Sequence, residues 1–428
     1  MDVLLLNAPV TVRNEHARLT PPLGLAYIAA ALDERGFSVG AVDLNVSGLN
    51  LRRIDAILEY DRPAIVGISA MTETYTNALA IARRVKETAH DTKVVLGGAH
   101  PTILPAAVAA EHDVDFVVVG AGERSMSDLA QMLLLGQGVP EDIAGLTWKD
   151  AAGGIHVNAQ ADLPAPDDLP APARHLFPTD FYRDKWNVLT ATGSCPYRCP
   201  FCSAASIWQG KRRLRSPQGV VDEVRQLIEE YDADGFFFTD DIFTLDARWV
   251  RRLAEEIRTL PRPITWGCAT RVDLVDGELL SVMAEAGCRG IQFGVESGSQ
   301  RILDSVKHIK KEEVLRAVEW AVGLGIDAVS SFIVPLPDDT KETLAQTRAF
   351  MREVHAAGSR ILLSYTCPFP GTAFHRDADD LGLQILSDDW SEYDAKHVTM
   401  ATRHLSREEI EEAVEAMAAD LGLQRSVA

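Results

Sequence analysis

Thr192-Gly193-Ser194-Cys195-Pro196-Tyr197-Arg198-Cys199-Pro200-Phe201-Cys202 is the stretch on which the reading of this chain turns. Three of the six cysteines fall here, spaced C-x3-C-x2-C, while Cys268, Cys288 and Cys367 are scattered. Six cysteines in 428 residues cannot staple a disulfide scaffold, so the crowding points to a metal site in a reducing compartment. Iron–sulfur clusters commonly take four thiolates. A set of three leaves one iron without a protein ligand, open to a substrate or cofactor. The competing readings are a zinc site and three coincidental buried thiols. Zinc in a closed structural site usually takes four protein ligands, and no nearby His or fourth Cys supplies one. The scattered cysteines read as small buried hydrophobes, with Cys367 also placed where a substrate pocket would lie.

Outward from this stretch the pattern is regular. Apolar runs at 188–192, 235–239, 264–270, 289–295, 328–334 and 361–366 read as strands, with room for one helix between each pair. The clearest helix is 311–324, with apolar positions 314, 317, 318 and 321. Six β/α units in succession predict a partial (β/α)6 barrel of TIM type. The cysteines then follow its first strand, at the end where such barrels carry their ligand loops. Polar groups recur at later strand ends: Thr239-Asp240-Asp241 after the second, Arg271 after the third, and Glu296 and Ser297 within Gly294-Val295-Glu296-Ser297-Gly298 after the fourth.

Toward the N-terminus, Val/Ile/Leu runs at 2–7, 38–43, 63–69, 93–97 and 115–119 alternate with helical stretches such as 23–35, closed by Gly36. Continuous rather than alternating apolar runs mean strands buried on both faces. They predict a doubly wound, Rossmann- or flavodoxin-like parallel sheet over residues 1–140. Its strand ends carry Ser69-Ala70-Met71-Thr72, Gly97-Gly98-Ala99-His100-Pro101-Thr102 and Gly120-Ala121-Gly122-Glu123. Glycines there let a ligand approach the backbone. Residues 141–187, with five prolines in 161–178, read as a linker, 188–375 as the barrel, and 376–428 as a helical C-terminal region. The last helix, 405–422, is expected to be capped by Ser406 with Glu409 three residues on.

The cysteine motif, with Phe201 before its last cysteine, resembles the signature of the radical S-adenosylmethionine (SAM) superfamily. The resemblance implies a [4Fe–4S] cluster on Cys195, Cys199 and Cys202 whose open iron chelates SAM. It further implies SAM contacts from Phe201, Thr239, Asp240, Asp241, Arg271, Glu296 and Ser297. The family's Gly-Gly-Glu is absent, an acidic pair standing in its place, and Pro335 and Asp338 stand where the family carries glycines. Pro368-Phe369-Pro370-Gly371-Thr372 again looks like the family. The N-terminal turns, with Thr20-Pro21-Pro22-Leu23-Gly24, resemble the cobalamin-binding domain that precedes such barrels. They imply contacts from Ser69, Thr72, Gly97, Gly98, His100, Pro101, Gly120, Gly122 and Glu123. The D-x-H-x-x-G motif that supplies an axial histidine elsewhere is missing, so cobalamin is expected base-off with no histidine ligand; neither His100 nor His16 sits in such a motif. The combined resemblance spans about residues 1–375.

The function implied is a cobalamin-dependent radical SAM methyltransferase. A 5′-deoxyadenosyl radical removes hydrogen from a substrate carbon, and methylcobalamin held over the barrel mouth gives it a methyl group. The first alternative keeps both cofactors but ends in cyclisation, ring contraction or rearrangement. Transfer-RNA modification and a non-enzymatic regulator are further alternatives. An electron donor such as flavodoxin or ferredoxin is an expected partner, and the substrate a small molecule or natural-product intermediate.

Composition narrows the field further. A formal charge of −20 argues against a protein that grips nucleic acid by electrostatics. Its one basic run, Lys211-Arg212-Arg213-Leu214-Arg215, reads either as a solvated loop or as a phosphate or carboxylate contact near the site. The apolar fraction, 46%, is that of an ordinary globular chain, and no apolar run reaches the ~18 residues of a membrane span. MDVLLLNAPV reads as a first buried strand rather than a signal peptide, and the expected location is the cytoplasm. Tyr197 and Trp208 flank the cluster loop and are expected to pack over it. His308 and His375 are candidate proton carriers that no neighbouring residue supports.

Overall fold

The computed structural model describes residues 1–10, 20–47, 51–160, 162–182, 186–193, 195–208 and 212–423. His16, Ser194 and Lys211 lie outside them. The chain divides into two compact units, Met1–Lys185 with Ser206–Lys211, and Trp186–Ala205 with Arg212–Ala428.

In the first unit, strands β1 (Val3–Asn7), β2 (Val39–Asp43), β3 (Ile65–Ser69), β4 (Lys93–Gly97) and β5 (Phe116–Val118) pair in parallel in the order β2-β1-β3-β4-β5. This is the flavodoxin-like order, and its direction reverses between β1 and β3, where such sheets bind ligands. The apolar runs are buried as expected: Val3, Leu4, Leu5 and Leu6 of β1 and Val94, Val95 and Leu96 of β4 are each no more than 2% exposed. The helix Leu23–Glu34 stops where Gly36 takes φ +82°, a turn that a side chain would resist.

The sheet does not end where the sequence suggested. Within 141–187, expected as a linker, β6 (Leu146–Lys149) and β7 (Ile155–Val157) form a hairpin that extends the sheet antiparallel from β5. Leu146 and Trp148 face its core, while Lys149, Ile155 and Val157 do not. The short strands were overshadowed by the prolines that follow. Those prolines cover the same core, since Ala173, Phe177 and Tyr182 are buried in it.

The second unit is a six-stranded parallel sheet of β8 (Asn187–Leu189), β11 (Gly235–Thr239), β12 (Thr265–Arg271), β13 (Cys288–Glu296), β14 (Asp327–Val334) and β15 (Arg360–Tyr365). Spatial order follows chain order, and among the described residues β8 and β15 do not pair with each other, so the barrel is incomplete. Between β8 and β11 lie β9 (Ala191–Thr192) and β10 (Arg213–Leu214), an antiparallel pair that closes the cysteine loop at its root. The crossover helices start where the sequence offers caps. Ser216, Asp246, Asp276 and Thr340 each accept the backbone N–H groups of the following helix. The helix Lys311–Gly323 buries Val314, Ala317, Val318 and Ala321, the face its spacing predicts. Phe238, Phe243, Trp249 and Trp266 stack at the centre of the core. Removing a side chain like Phe238, fully buried, from water contributes about 2–3 kcal/mol. Cys268 and Cys288 belong to this core, as their reading as hydrophobes requires.

The C-terminal region is helical only in part. It holds β16 (Leu383–Ile385) and β17 (Met400–Thr402), an antiparallel pair, before the helix Arg407–Asp420. Ser406 and Glu409 cap that helix reciprocally, as their spacing indicated.

Candidate active site

The cysteine loop leaves β9 through Gly193, whose φ of +90° turns the chain sharply. Cys202 N–H donates to Cys199 C=O at 3.0 Å, closing a turn that carries the last two thiols. Phe201, between them, packs with Phe374, Leu336, Ile302 and Met400, so the aromatic of the motif anchors the loop from below. The N–H of Phe374 also donates to Pro200 C=O. None of the three cysteines forms a disulfide. Burial holds each thiol above its ordinary pKa, and the charges of its neighbours reach it. Ionisation is then tied to metal binding. Among the described residues no three His, Cys, Asp or Glu side chains converge on a single ion.

Groups whose fields reach the thiols come from three later strand ends and from Lys307, which acts on Cys199. Asp241, after β11, acts on Cys195 and Cys202; Arg271, ending β12, on Cys195 and Cys199; and Glu296, ending β13, on Cys199. Arg271 is 6% exposed and lies over the Tyr197 ring, 4.0 Å from its centroid. Its Nε and Nη2 donate to Asp273, and Nη2 also to Lys307 C=O, yet Nη1 is buried without a partner. An orphaned guanidinium N–H beside the cysteine loop fits a carboxylate. Tyr197 therefore packs on Arg271.

Glu296 is held under strain. Its φ is +76°, at a register shift between Gly294 and Glu296 in the pairing with β14. Its Oε1 accepts from Lys307 Nζ at 2.5 Å, both side chains being 8% exposed. Gly294 makes this possible, because a Cβ there would stand 2.3 Å from Lys307 Nζ and 2.6 Å from Glu296 Oε1. Lys307 was not singled out in the sequence. The available signal was its position after Leu303 and Val306 on a buried helix face, where a lysine needs a partner.

Other expected SAM residues are occupied. Asp240 pairs with Arg212 and accepts from Thr190 Oγ1 at 3.1 Å and Ile242 N–H at 3.0 Å, so it ties the loops together. Of the acidic pair, Asp241 acts on Cys195 and Cys202, while Asp240 acts on the buried Cys268. Burial pushes the Asp241 carboxyl up, with the Asp240 charge adding to the shift. Ser297 is 1% exposed, shares a bond with Thr347 Oγ1 and accepts from Ser299 N–H. Within the basic run, Arg212 and Arg215 pair with Asp240 and Glu223, Arg213 is exposed, and Lys211 lies outside the described residues. His308 is exposed and His375 lies against Trp390.

In the first unit, Ser69 and Gly97 close β3 and β4, and Gly98 continues at φ +97°. A Cβ on Gly98 would meet Ala70 O at 2.6 Å. Gly98→Ala is therefore expected to destabilise the unit by about 2 kcal/mol or more, lowering its calorimetric melting temperature by roughly 5 °C. An unchanged transition would show that the turn tolerates a side chain. Gly120 takes φ +77° and donates its N–H to Thr102 Oγ1. Gly122 serves packing instead, for a Cβ there would stand 2.9 Å from Ile28 Cδ1. His100 is 1% exposed, stacked on Tyr75 at 4.2 Å with Nδ1 3.4 Å from Thr72 Oγ1, and burial lowers its pKa to about 4. Its ring is thus a neutral packing group, and Pro101 beside it is also buried. Glu123 Oε2 is buried without a partner, and burial raises that carboxyl's pKa. An orphaned carboxyl beside two left-handed glycines fits a ligand rich in amide groups, as cobalamin is.

Two family profiles match the chain: the radical SAM superfamily over residues 189–351, and the B12 binding domain over residues 10–130. An uncharacterized methyltransferase of Pyrococcus horikoshii is 30% identical over 418 residues, covering 96% of this chain and 90% of that protein. A cytidylyl-2-hydroxyethylphosphonate methyltransferase of Streptomyces wedmorensis is 29% identical over 390 residues, covering 78% and 73%. Among solved structures, the radical SAM methyltransferase TsrM of Kitasatospora setae, with cobalamin and a [4Fe–4S] cluster bound, aligns over 97% of this chain and 91% of its own. Its TM-score is 0.78 at 21% identity, a likeness of fold. No helix among the described residues is long and apolar enough to cross a membrane. With an iron-ready cysteine loop on an incomplete barrel, preceded by a flavodoxin-like sheet, the chain belongs to the radical SAM superfamily as a cobalamin-dependent, methyltransferase-like enzyme.

Proposed function

We propose that this enzyme transfers a methyl group to a carbon of a small-molecule substrate. The observation that carries the site is the gathering of Asp241, Arg271 and Glu296, from three successive strand ends, around Cys195, Cys199 and Cys202. When bound, the cluster with SAM supplies a hydrogen-abstracting radical, and cobalamin supplies the methyl group. The protein's part is to hold and orient them. Cys195, Cys199 and Cys202 hold three irons. Arg271 offers its spare Nη1 to the SAM carboxylate, Asp241 takes the SAM amino group, and Glu296 keeps one oxygen for ribose hydroxyls while Lys307 holds the other. Thr239, Asp240 and Ser297 support these groups through the loops. On the first unit, Ser69, Thr72, Gly97, Gly98, Gly120 and Glu123 would cradle cobalamin, which we expect base-off with no histidine ligand.

A small-molecule substrate fits the Streptomyces relative, which is named for a small phosphonate. Six cysteines with no disulfide among them fit a reducing cytoplasm, where flavodoxin or ferredoxin would supply electrons. The decisive experiment is anaerobic reconstitution with iron, sulfide and cobalamin, then incubation with SAM labelled in its methyl group. Label in the product is the expected result. Formation of 5′-deoxyadenosine with an unlabelled, cyclised or rearranged product would replace methyl transfer with the alternative chemistry.

A further inference from the structure

The chain carries 20 more negative than positive charges, yet one open cavity of the barrel unit is lined by arginine. The cavity, about 550 Å³, is bounded by Arg212, Leu214, Leu245, Asp246, Ala247 and Arg248. A second hollow continues along the same helix, Ala247–Ile257, past Arg248, Arg251 and Arg252. Among the described residues three carboxylates, Asp240, Asp246 and Glu278, face these groups, and each is already engaged. Asp246 caps the helix, accepting from the N–H groups of Arg248 and Trp249, and Glu278 pairs with Arg251 at 3.0 Å. Arg212 is nine-tenths buried, its Nη2 on Asp240 and its Nε without a partner. Arg248 and Arg252 are exposed.

The cavity lies at the root of the cysteine loop, since Arg212 precedes β10 and the loop leaves from β9. From Arg212 the next group inward is Asp240, and beside it Asp241 already acts on Cys195 and Cys202. Apolar Leu214, Leu245 and Ala247 with a rim of arginine make the pattern of a protein–protein contact. A net negative surface repels an acidic protein everywhere except at such a patch, which both steers and orients the encounter.

We propose that this arginine cavity is the docking surface for an acidic one-electron carrier protein that reduces the cluster. The proposal rests on the reading of Cys195, Cys199 and Cys202 as cluster ligands. In the step concerned one electron leaves the carrier, which is oxidised, and enters the cluster, which is reduced; no bond is made or broken.

The test uses the reconstituted holoenzyme and its Arg248→Glu/Arg252→Glu variant, with flavodoxin hydroquinone as the probe. Rapid-freeze-quench EPR follows the reduced cluster, and dithionite, which needs no docking, is the control. The second-order rate with flavodoxin is expected to fall about tenfold or more in the variant at low salt, and the wild-type rate to drop steeply as salt rises. Reduction by dithionite should be the same in both proteins, showing that fold and cluster are intact. Equal flavodoxin rates in the two proteins would overturn the proposal. So would equal rates accompanied by a melting temperature that inorganic phosphate raises in wild type alone, the mark of a small-anion site. A failure of the cluster reading looks different: neither protein has iron–sulfur absorbance or a dithionite-induced signal, and the docking proposal falls with it.

Discussion

Cys199→Ala is expected to abolish the iron–sulfur absorbance of the reconstituted protein and to lower SAM cleavage by at least about 1,000-fold, a loss of some 4 kcal/mol of catalysis. The charges of Lys307, Arg271 and Glu296 all act on the Cys199 thiol. No other cysteine can take its place, because Cys268 and Cys288 are buried in the barrel core and Cys367 is 4% exposed beyond β15. The matching control is Cys268→Ala. It should keep iron and activity and cost about 1 kcal/mol, as loss of a small buried side chain does. Iron content and SAM-derived products, measured on both variants, separate ligand from packing. Full iron in Cys199→Ala would end the cluster assignment.

Lys307→Met is the second change expected to have a large effect. It leaves the Glu296 carboxylate buried without its counter-charge, and removing one partner of a buried pair typically costs about 3–5 kcal/mol. The left-handed backbone at Glu296, worth roughly 1–3 kcal/mol of strain, also loses the bond that helps to hold it. A lower melting temperature follows, and SAM binding measured by equilibrium dialysis should weaken about tenfold or more. A merely structural role would predict the first result without the second. The double variant Glu296→Gln/Lys307→Met separates them: stability should largely return, since no charge is then left unpaired, while SAM affinity stays low. Wild-type SAM affinity in Lys307→Met would remove the lysine from the site.

Strands such as β1 and β3 of the first sheet were legible because they are buried on both faces and so read as uninterrupted apolar runs, whereas barrel strands such as β14 alternate buried and part-exposed residues. The cysteine motif was legible because its ligands are adjacent in sequence. What the sequence did not reveal is the long-range pairing of polar groups. Asp240 and Asp241 are neighbours of identical type, yet Asp240 pairs with Arg212, 28 residues away, while Asp241 acts on Cys195 and Cys202. Nor did a lysine after a short helix announce a partner at a strand end 11 residues earlier. His100 had the residue type of a ligand, but its burial against Tyr75 makes it a packing group. The β6–β7 hairpin was hidden by its brevity, two strands of four and three residues ahead of a proline-rich tract.

The two-rung pairing of β9 with β10 bears on how the enzyme is assembled. Thr192 pairs with Arg213 and Ala191 with Leu214, so both ends of the cysteine loop are fixed by backbone bonds that involve no metal. The large apolar core of the barrel includes none of the three ligand cysteines. Small zinc domains are unfolded until metal arrives, because their ligands are their core. Here the order is reversed. The iron-free polypeptide can leave the ribosome, complete its barrel and wait, with maturation confined to one clasped loop, so that cluster delivery is a step of biogenesis and not of folding.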